Sequence, residues 1–518
     1  MILGHSNYSA LADSEQEPAL DASSAWTFRR TLILGWRALL AMKMAESLYF
    51  AIRLEQLAGG GAPPGTQAPL KAAASLFRAA ILAVQDDWPE AASCALQAQQ
   101  ADPFARRALT IGVTIRRLGH WRAGNLSQFH ALGRTPATQQ SRKREALPAI
   151  FDLCLEAAVQ FGKLRPVVAG RLAVDALELA RASVGGDSPA ALLPATLVAQ
   201  VAYERGEFEE AESLIRYRMT AIRTSGTIEC ASRAYRLLAR IAAHRRQCDG
   251  ALAILRDAEA LAEKRGWTRM LADVLAERIR LLLDEGETGK AHSCLHTLDA
   301  FEKRQREAHA QDLPDDVKTR FAISRLRLAT VRDGGRETPA AIGLLSRAAA
   351  ARSDLYLSLE LRLQLAAARA AGGDTHEATE ILTRCLHVGA ANGLWMIFVD
   401  AGPIVRELLR KLCHDVHTTD ERVLELHAYI NALLANSPDR APKQTTPPNR
   451  ANTVNQTLSR RETVILRLMA KGMSNKQIAH RLDIAPETVK SHAKSIFVKL
   501  VAQTRAQAVA HAETLSLI

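Results

Sequence analysis

The chain has 518 residues, of which 48% are hydrophobic, 5% aromatic and 24% charged. At roughly 150 residues per domain, this length suits three or four folding units, or fewer if one is a repeat array. The composition excludes a collagen-like or largely disordered chain, and the abundance of Ala, Leu and Arg indicates helices with almost no sheet. The formal net charge of +12 favours a polyanionic partner without identifying it.

The amino-terminal part offers no export or membrane signal. Residues 1–25 are polar and aperiodic, so we predict a disordered tail there. The first residues, 1–5, lack a basic region followed by an apolar one, which argues against secretion and for a cytoplasmic protein. Charged residues interrupt the apolar segment 26–57, so it falls short of the ~20 apolar residues of a membrane span and no membrane role is expected.

From residue 26 to residue 435, helical stretches alternate with short breaks, and one break pattern recurs. A Gly-acid pair precedes an Ala by a fixed offset, with complete or degenerate copies at 206–211, 246–251, 286–291, 335–340 and 373–378. The alanines at 211, 251 and 291 are spaced by forty residues. We interpret the Gly as the left-handed end of one helix, the acid as the start of the next, and the Ala as a close helix contact.

This period predicts a TPR-like helical-repeat solenoid over 26–435, which would act as a sensor or interaction domain. Apolar stripes such as 237–242 and 251–255 cannot be buried by one helical pair, so neighbouring pairs must stack. A non-repetitive helical bundle is the alternative.

Neither catalysis nor a bound cofactor is indicated. The Gly-rich stretches 60–67 and 284–291 lack the lysine or the Ser/Thr of a phosphate-binding loop. The seven cysteines include no C-x-x-C pair, so we expect buried thiols and no metal site. Scattered histidines form no constellation with carboxylates or cysteines, so we predict no catalytic residues and no enzyme.

Residues 436–457 contain four prolines and few large apolar side chains, which predicts a semi-flexible linker. The charge then changes sharply. Residues 451–518 carry ten Lys and Arg against four Asp and Glu, so half of the surplus of +12 lies there. Such a local excess of positive charge is typical of a nucleic-acid-binding module, although a solvated basic tail would also show it.

Two capping boxes, Ser459–Glu462 and Ser474–Gln477, predict two helices separated by a bend at Gly472. Pro486 suits the first position of a third helix. The expected core-facing residues of the first two helices are Val464, Ile465, Leu468, Met469, Ile478, Ala479 and Leu482.

The third helix carries the predicted DNA contacts. Val489, Ala493, Ile496 and Leu500 recur at spacings of four, three and four, so they should face the core. Glu487, Lys490, Ser491 and Lys494 then project from the opposite side of a helix slim enough for the major groove. Lys476, Thr488, Lys499 and Arg505 are placed to neutralise phosphates. A solvated charged face on a small bundle is the alternative.

Four segments of this region, 458–462, 469–479, 488–492 and 499–500, together resemble the C-terminal helix-turn-helix of LuxR-type transcriptional regulators. The resemblance implies a four-helix DNA-binding domain over 458–518, whose third helix reads DNA and whose last helix, near 506–514, often mediates dimerisation. The chain departs from the family at Val501, Ala502 and Ala506, which puts the dimer geometry in doubt, and Ala485 replaces a serine cap.

The resemblance also assigns residues by position. Lys490, Ser491 and Lys494 match the base-facing residues of the family, and Asn475 and Thr488 match residues that contact the DNA backbone. The array is similar, more loosely, to the repeat region of MalT-like regulators, which usually carry an N-terminal ATPase before it. We find no such ATPase in this sequence, which implies either a naturally short relative or a reading frame that begins further upstream.

These features together predict a bacterial transcriptional regulator that binds promoter DNA, expected as a homodimer. The array would sense a small-molecule or protein effector, with no cofactor. The alternative is a TPR-like protein-interaction scaffold whose basic module provides only nonspecific DNA retention.

Overall fold

A computed structural model describes residues 22–59, 64–103, 106–133, 146–186, 188–308, 313–334, 338–414, 421–435, 460–470 and 473–482, with Val489, Ala493, Arg505 and Val509. Every regular element in these ranges is helical, which confirms the predicted all-α class. None of the helices found there is both long and apolar enough to cross a membrane. The chain divides into two compact units, residues 1–440 and 441–518.

The first unit consists of consecutive helices joined by short turns. Its helices are α1 Ala22–Leu40, α2 Met44–Gly59, α3 Pro64–Val84, α4 Trp88–Ala101, α5 Arg106–Arg122, α6 Leu126–Ala131, α7 Ala146–Gly162, α8 Pro166–Val184, α9 Leu192–Glu204, α10 Phe208–Arg216, α11 Met219–Ser225, α12 Ile228–His244, α13 Cys248–Arg265, α14 Thr268–Asp284, α15 Thr288–Ala308, α16 Asp315–Asp333, α17 Thr338–Ala351, α18 Leu355–Ala371, α19 Thr375–Asn392, α20 Met396–Val399, α21 Pro403–His414 and α22 Glu421–Ala435. Sequential neighbours pack in pairs, and α9, α12, α14 and α16 also pack one on the next, so the pairs stack as a TPR-like array.

The stacking buries a large apolar cluster between Leu164 and Leu433, and separate clusters lie beside it, such as the one between Phe28 and Ile115. The alanines predicted at close helix contacts are fully buried in four repeats, at 211, 251, 291 and 378. Ala340 is exposed, and Ile342 is buried in its place. The reason is a later helix start, because the next helix begins four residues after the left-handed Gly334 but only two residues after Gly206.

The predicted turn chemistry is confirmed at Gly206, Gly286 and Gly373, whose φ angles are 76°, 75° and 93°. After Gly206 the amide of Glu207 donates to the carbonyl of Ala202 at 3.0 Å, which closes the end of α9. The acid of the pattern caps the next helix in the case of Asp374, which accepts from the amide of Glu377 at 3.0 Å. Glu207 makes no such bond.

The same left-handed turn occurs at positions where the sequence shows no glycine. Met42, Asp86, Leu164 and Arg246 adopt φ angles of 54°, 69°, 58° and 61°. A left-handed non-glycine residue costs roughly 1–2 kcal/mol, which the packing of the adjoining helices must offset. The repeat therefore extends into the amino-terminal half, where the glycine pattern did not reveal it.

Two further details differ from expectation. Helix α1 begins at Ala22, within the segment 1–25 predicted as a tail, because Ala and Ser extend the helix that the core anchors further on. All seven cysteines are free thiols and five are buried, whereas Cys248 and Cys413 are half-buried at helix ends. Residues 1–21 and the predicted linker 436–457 lie outside the described residues.

Gly389 of α19 lies where there is no room for a side chain. A Cβ atom there would collide with the ring of Phe398 and the hydroxyl of Tyr429. We therefore expect Gly389→Ala to lower the free energy of unfolding by about 1–3 kcal/mol, through overpacking. Urea unfolding followed by circular dichroism measures this change.

The matched control is Gly343→Ala in α17, where the nearest atom to a new Cβ is the end of Arg347 at 4.0 Å. This substitution should stabilise by roughly 0.5–1 kcal/mol, because it removes only the entropic cost of glycine in a helix. Equal effects of the two substitutions would contradict the overpacking argument.

Candidate functional site

The second unit contains two helices in the predicted order, α23 Arg460–Ala470 and α24 Asn475–Leu482. Helix α23 begins at Arg460 as predicted and buries Ile465, Leu468 and Met469. Val464 was expected in this face but is 42% exposed, whereas Leu466 is fully buried. These two residues lie on opposite flanks of the face, and only the flank of Leu466 is covered.

The second capping box is present with both of its hydrogen bonds. The amide of Ser474 donates to Oε1 of Gln477 at 2.8 Å, and the amide of Gln477 donates to Oγ of Ser474 at 3.4 Å. Ile478 and Ala479 of α24 are buried, as predicted. The capping box therefore fixes where α24 starts after the bend.

Arg505 holds the same bend from a distant part of the chain. Its Nη2 donates to the carbonyl of Met469 at 3.1 Å and to that of Met473. These carbonyls belong to the end of α23 and the bend, where acceptors lack partners within the helix. The sequence analysis missed this structural role, and the phosphate contact expected of Arg505 stays a prediction.

The third-helix positions that the structure describes agree with the predicted orientation. Val489 and Ala493 are both helical, with exposures of 0% and 5%, so the two core-facing assignments are confirmed. The remaining predicted DNA contacts, Thr488, Lys490, Ser491, Lys494 and Lys499, lie outside the described residues. For Asn475 and Lys476 only the backbone, in the first turn of α24, is described.

Two protein families match this chain. Residues 72–415 match the MalT-like TPR region, and residues 456–512 match the luxR family of bacterial regulatory proteins. The chain belongs to the LuxR-type regulators that carry a MalT-like TPR region. The second match spans both described helices of the carboxy-terminal unit as well as Val489, Ala493 and Arg505.

The named relatives of this LuxR-type chain are regulator proteins. It is 27% identical over 277 residues to the HTH-type transcriptional regulator AlkS of Pseudomonas putida, covering 53% of this chain and 29% of AlkS. It is 30% identical over 152 residues to MalT of Vibrio cholerae, covering 28% of this chain and 17% of MalT. The nitrate/nitrite response regulator NarL of Escherichia coli is 49% identical over 63 residues, 12% of this chain and 29% of NarL. The matched part thus spans less than a third of each of these relatives.

A second candidate site lies inside the helical array of this LuxR-type chain. A partly open cavity of about 310 Å³ is lined by residues of α9, α12, α14, α16 and α18, by residues 397–401 and by parts of α5, α6 and α7. Cavities of about this size and larger hold small molecules. The sequence analysis missed it, although the residues that α12 turns toward it, Glu229, Arg233, Arg236 and Arg240, recur at helical spacing and could have indicated a second polar face.

Asp400 connects the cavity wall to two helices. It accepts from the hydroxyl of Tyr203 at 2.8 Å and from Nη1 of Arg240 at 3.1 Å, and its other oxygen lies 3.1 Å from Nε2 of His244. Burial opposes ionisation of this carboxyl, but Arg240 and Arg280 outweigh burial and hold the pKa of Asp400 well below its usual range. The network ties the segment that follows α20 to α9 and α12.

Glu204 lies on the same wall with a different electrostatic balance. Burial raises the pKa of Glu204 to about 7, although a hydrogen bond from Tyr356 of α18 lowers it. Asp400 raises this pKa further and Arg240 of α12 lowers it. The folded chain therefore holds a proton that the unfolded chain releases near its ordinary pKa of 4.5.

This difference predicts a pH dependence of stability. The stabilising contribution of protonated Glu204 is complete below about pH 4.5 and is lost as the pH rises through 7. Raising the pH from 5 to 8 should cost on the order of 2–3 kcal/mol through this group. Urea unfolding at several pH values should show a shallower dependence in Glu204→Gln. Glu209→Gln, at an exposed side chain, should keep the dependence of the wild type.

Proposed function

We propose that this protein is a DNA-binding transcriptional regulator of the LuxR type. Its carboxy-terminal unit reads promoter DNA through the third helix, and its array responds to a small-molecule or protein effector. The observation that carries the proposal is the luxR-family match over 456–512, which falls on helices that the structure builds with the expected capping box. The relatives named above are described as regulators, which supports the same role.

The burial of Val489 and Ala493 supports the assignment of the base-facing residues. With 3.6 residues per turn, a helix that turns these two inward carries positions 490, 491 and 494 on its flank and far side. We accordingly propose that Lys490, Ser491 and Lys494 contact bases. Asn475, Lys476, Thr488 and Lys499 are proposed to contact phosphates.

The assembly and the place of action belong to the same proposal. A homodimer on DNA would place two recognition helices on half-sites about one helical turn, roughly 10 bp, apart or a multiple of that spacing. The protein would work in the cytoplasm, where bacterial promoters lie. It needs no cofactor or catalytic step for this role.

Selection of bound sequences from a random DNA pool tests the proposal with the full chain. The dissociation constants of an enriched and a scrambled duplex, measured at one salt concentration, should then differ by about 10³-fold or more. A ratio near one, with no enriched sequence, would instead support an interaction scaffold with nonspecific DNA retention.

A further inference from the structure

Three of the arginines that line the cavity inside the array have no ion-pair partner among the described residues, and neither do two of its carboxylates, Glu204 and Asp354. Eight arginines and seven carboxylates line it. Five of these arginines pair with carboxylates, for example Arg240 with Glu277 and Arg327 with Glu360. Among the described residues, Arg233, Arg236 and Arg352 have no carboxylate within ion-pair distance.

The first two of these arginines lie one helical turn apart on α12. Arg233 donates to neutral acceptors only, to Oε1 of Gln200 at 2.7 Å, to the carbonyl of Glu229 at 3.3 Å and to Oγ1 of Thr196 at 3.4 Å. Arg236 has no hydrogen-bond or ion-pair partner in the part of the chain that the structure describes. Both residues line the cavity and are partly buried.

The surroundings of the two guanidinium groups lower both of their pKa values. Burial, followed by the neighbouring guanidinium of Arg236, lowers the pKa of Arg233 to about 10. Burial also lowers the pKa of Arg236, by more than the nearby Asp273 raises it. Enclosed cations without partners are costly, and proteins normally pair them. Asp273 instead binds Arg320 and the hydroxyl of Ser232 and lies beyond ion-pair distance of Arg236.

Arg352 contributes a third donor from the far wall. Its Nη2 donates to the carbonyl of Arg122 at 2.8 Å, and no carboxylate neutralises it among the residues described. Guanidinium groups are suited to carboxylate and phosphate oxygens, which they bind through parallel N–H donors.

We propose that the cavity binds a small metabolite bearing a carboxylate or phosphate group, whose oxyanion is held by Arg233 and Arg236. This inference rests on the proposed function, in which such a ligand would be the effector sensed by the array. The space of about 310 Å³ suits a small metabolite and is too small for a folded partner.

Thermal unfolding of the full chain tests the proposal without DNA. Sodium phosphate and sodium succinate serve as probes, with sodium chloride at equal ionic strength as the reference. At about ten times its dissociation constant, a bound anion should raise the Tm by roughly 1–2 °C above the chloride reference. A response to phosphate alone assigns a phosphate-bearing ligand, and a response to succinate alone assigns a carboxylate.

The variants Arg236→Gln and Arg233→Gln should weaken binding of the effective probe by about tenfold or more, because each removes a charged donor. Without ligand, Arg236→Gln should unfold at the same or a higher temperature than the wild type, because it loses no partner. Arg384→Gln on α19 is the charge-matched control, since its side chain is 76% exposed and pairs with Glu380.

The proposal is overturned if neither anion stabilises more than chloride, or if Arg236→Gln responds like the wild type. Binding to a selected DNA sequence is measured separately on the same preparations. Intact DNA binding without an anion response would defeat only this inference, whereas the opposite result would defeat only the proposed function.

Discussion

Replacing Asp400 by alanine is expected to lower the free energy of unfolding of the array by about 3–5 kcal/mol. The side chain is 6% exposed and holds hydrogen bonds from Tyr203 and Arg240, with His244 at the same distance as Arg240. Its removal leaves buried donors without an acceptor and detaches the segment after α20 from α9 and α12. Urea unfolding monitored by circular dichroism should show a lower midpoint.

Asp299→Ala in α15 is the matched control for that experiment. Asp299 also pairs with an arginine, Arg325, but its side chain is 44% exposed, so solvent replaces the lost contact. This variant should change stability by no more than about 1 kcal/mol. An Asp400→Ala protein as stable as the wild type would show that the network does not hold the segment in place.

Lys494→Ala should weaken binding to a selected DNA sequence by about 10- to 100-fold, corresponding to the 1–3 kcal/mol of a base contact. Its binding to random DNA should fall much less, because phosphate contacts supply most of the nonspecific affinity. Fluorescence anisotropy with labelled duplexes at fixed salt measures both constants. Lys490→Ala should behave in the same way.

Two further variants distinguish a base contact from a general effect of positive charge on DNA binding. Lys476→Ala should weaken binding to all DNA sequences about equally, as expected of a phosphate contact. It should also reduce the slope of the logarithm of the binding constant against the logarithm of the salt concentration by about one. Lys303→Ala, on a side chain of the array that is 79% exposed, should leave DNA binding unchanged. If Lys494→Ala weakens selected and random DNA equally, Lys494 does not contact bases.

Arg240 links the two interior features of the array. It binds Asp400 and Glu277, and it lies one turn beyond Arg236 on the same face of α12. An anion held at Arg236 would thus lie next to the network that fastens residues 396–400. Combining Arg236→Gln with Asp400→Ala would show whether the two features are energetically coupled.

The sequence predicted local structure well where local chemistry decides it. The Ser474–Gln477 capping box, the start of α23 at Arg460 and the left-handed glycines at 206, 286 and 373 all follow from hydrogen bonding and sterics within a few residues. The sequence did not predict the left-handed turns at Met42, Asp86 and Leu164, which form without glycine. There the packing of whole helices outweighs the local preference of the residue.

By itself, the sequence determined the all-helical class, the repeat and the position of the luxR-type module, because periodicity and capping depend on residues that are close together in the chain. Only the tertiary structure decided which charges meet. Tyr203 and Asp400 are 197 residues apart and still share a hydrogen bond. Such a contact depends on how successive helices stack, and no spacing along the chain records it. The cavity and its unpaired arginines exist for the same reason.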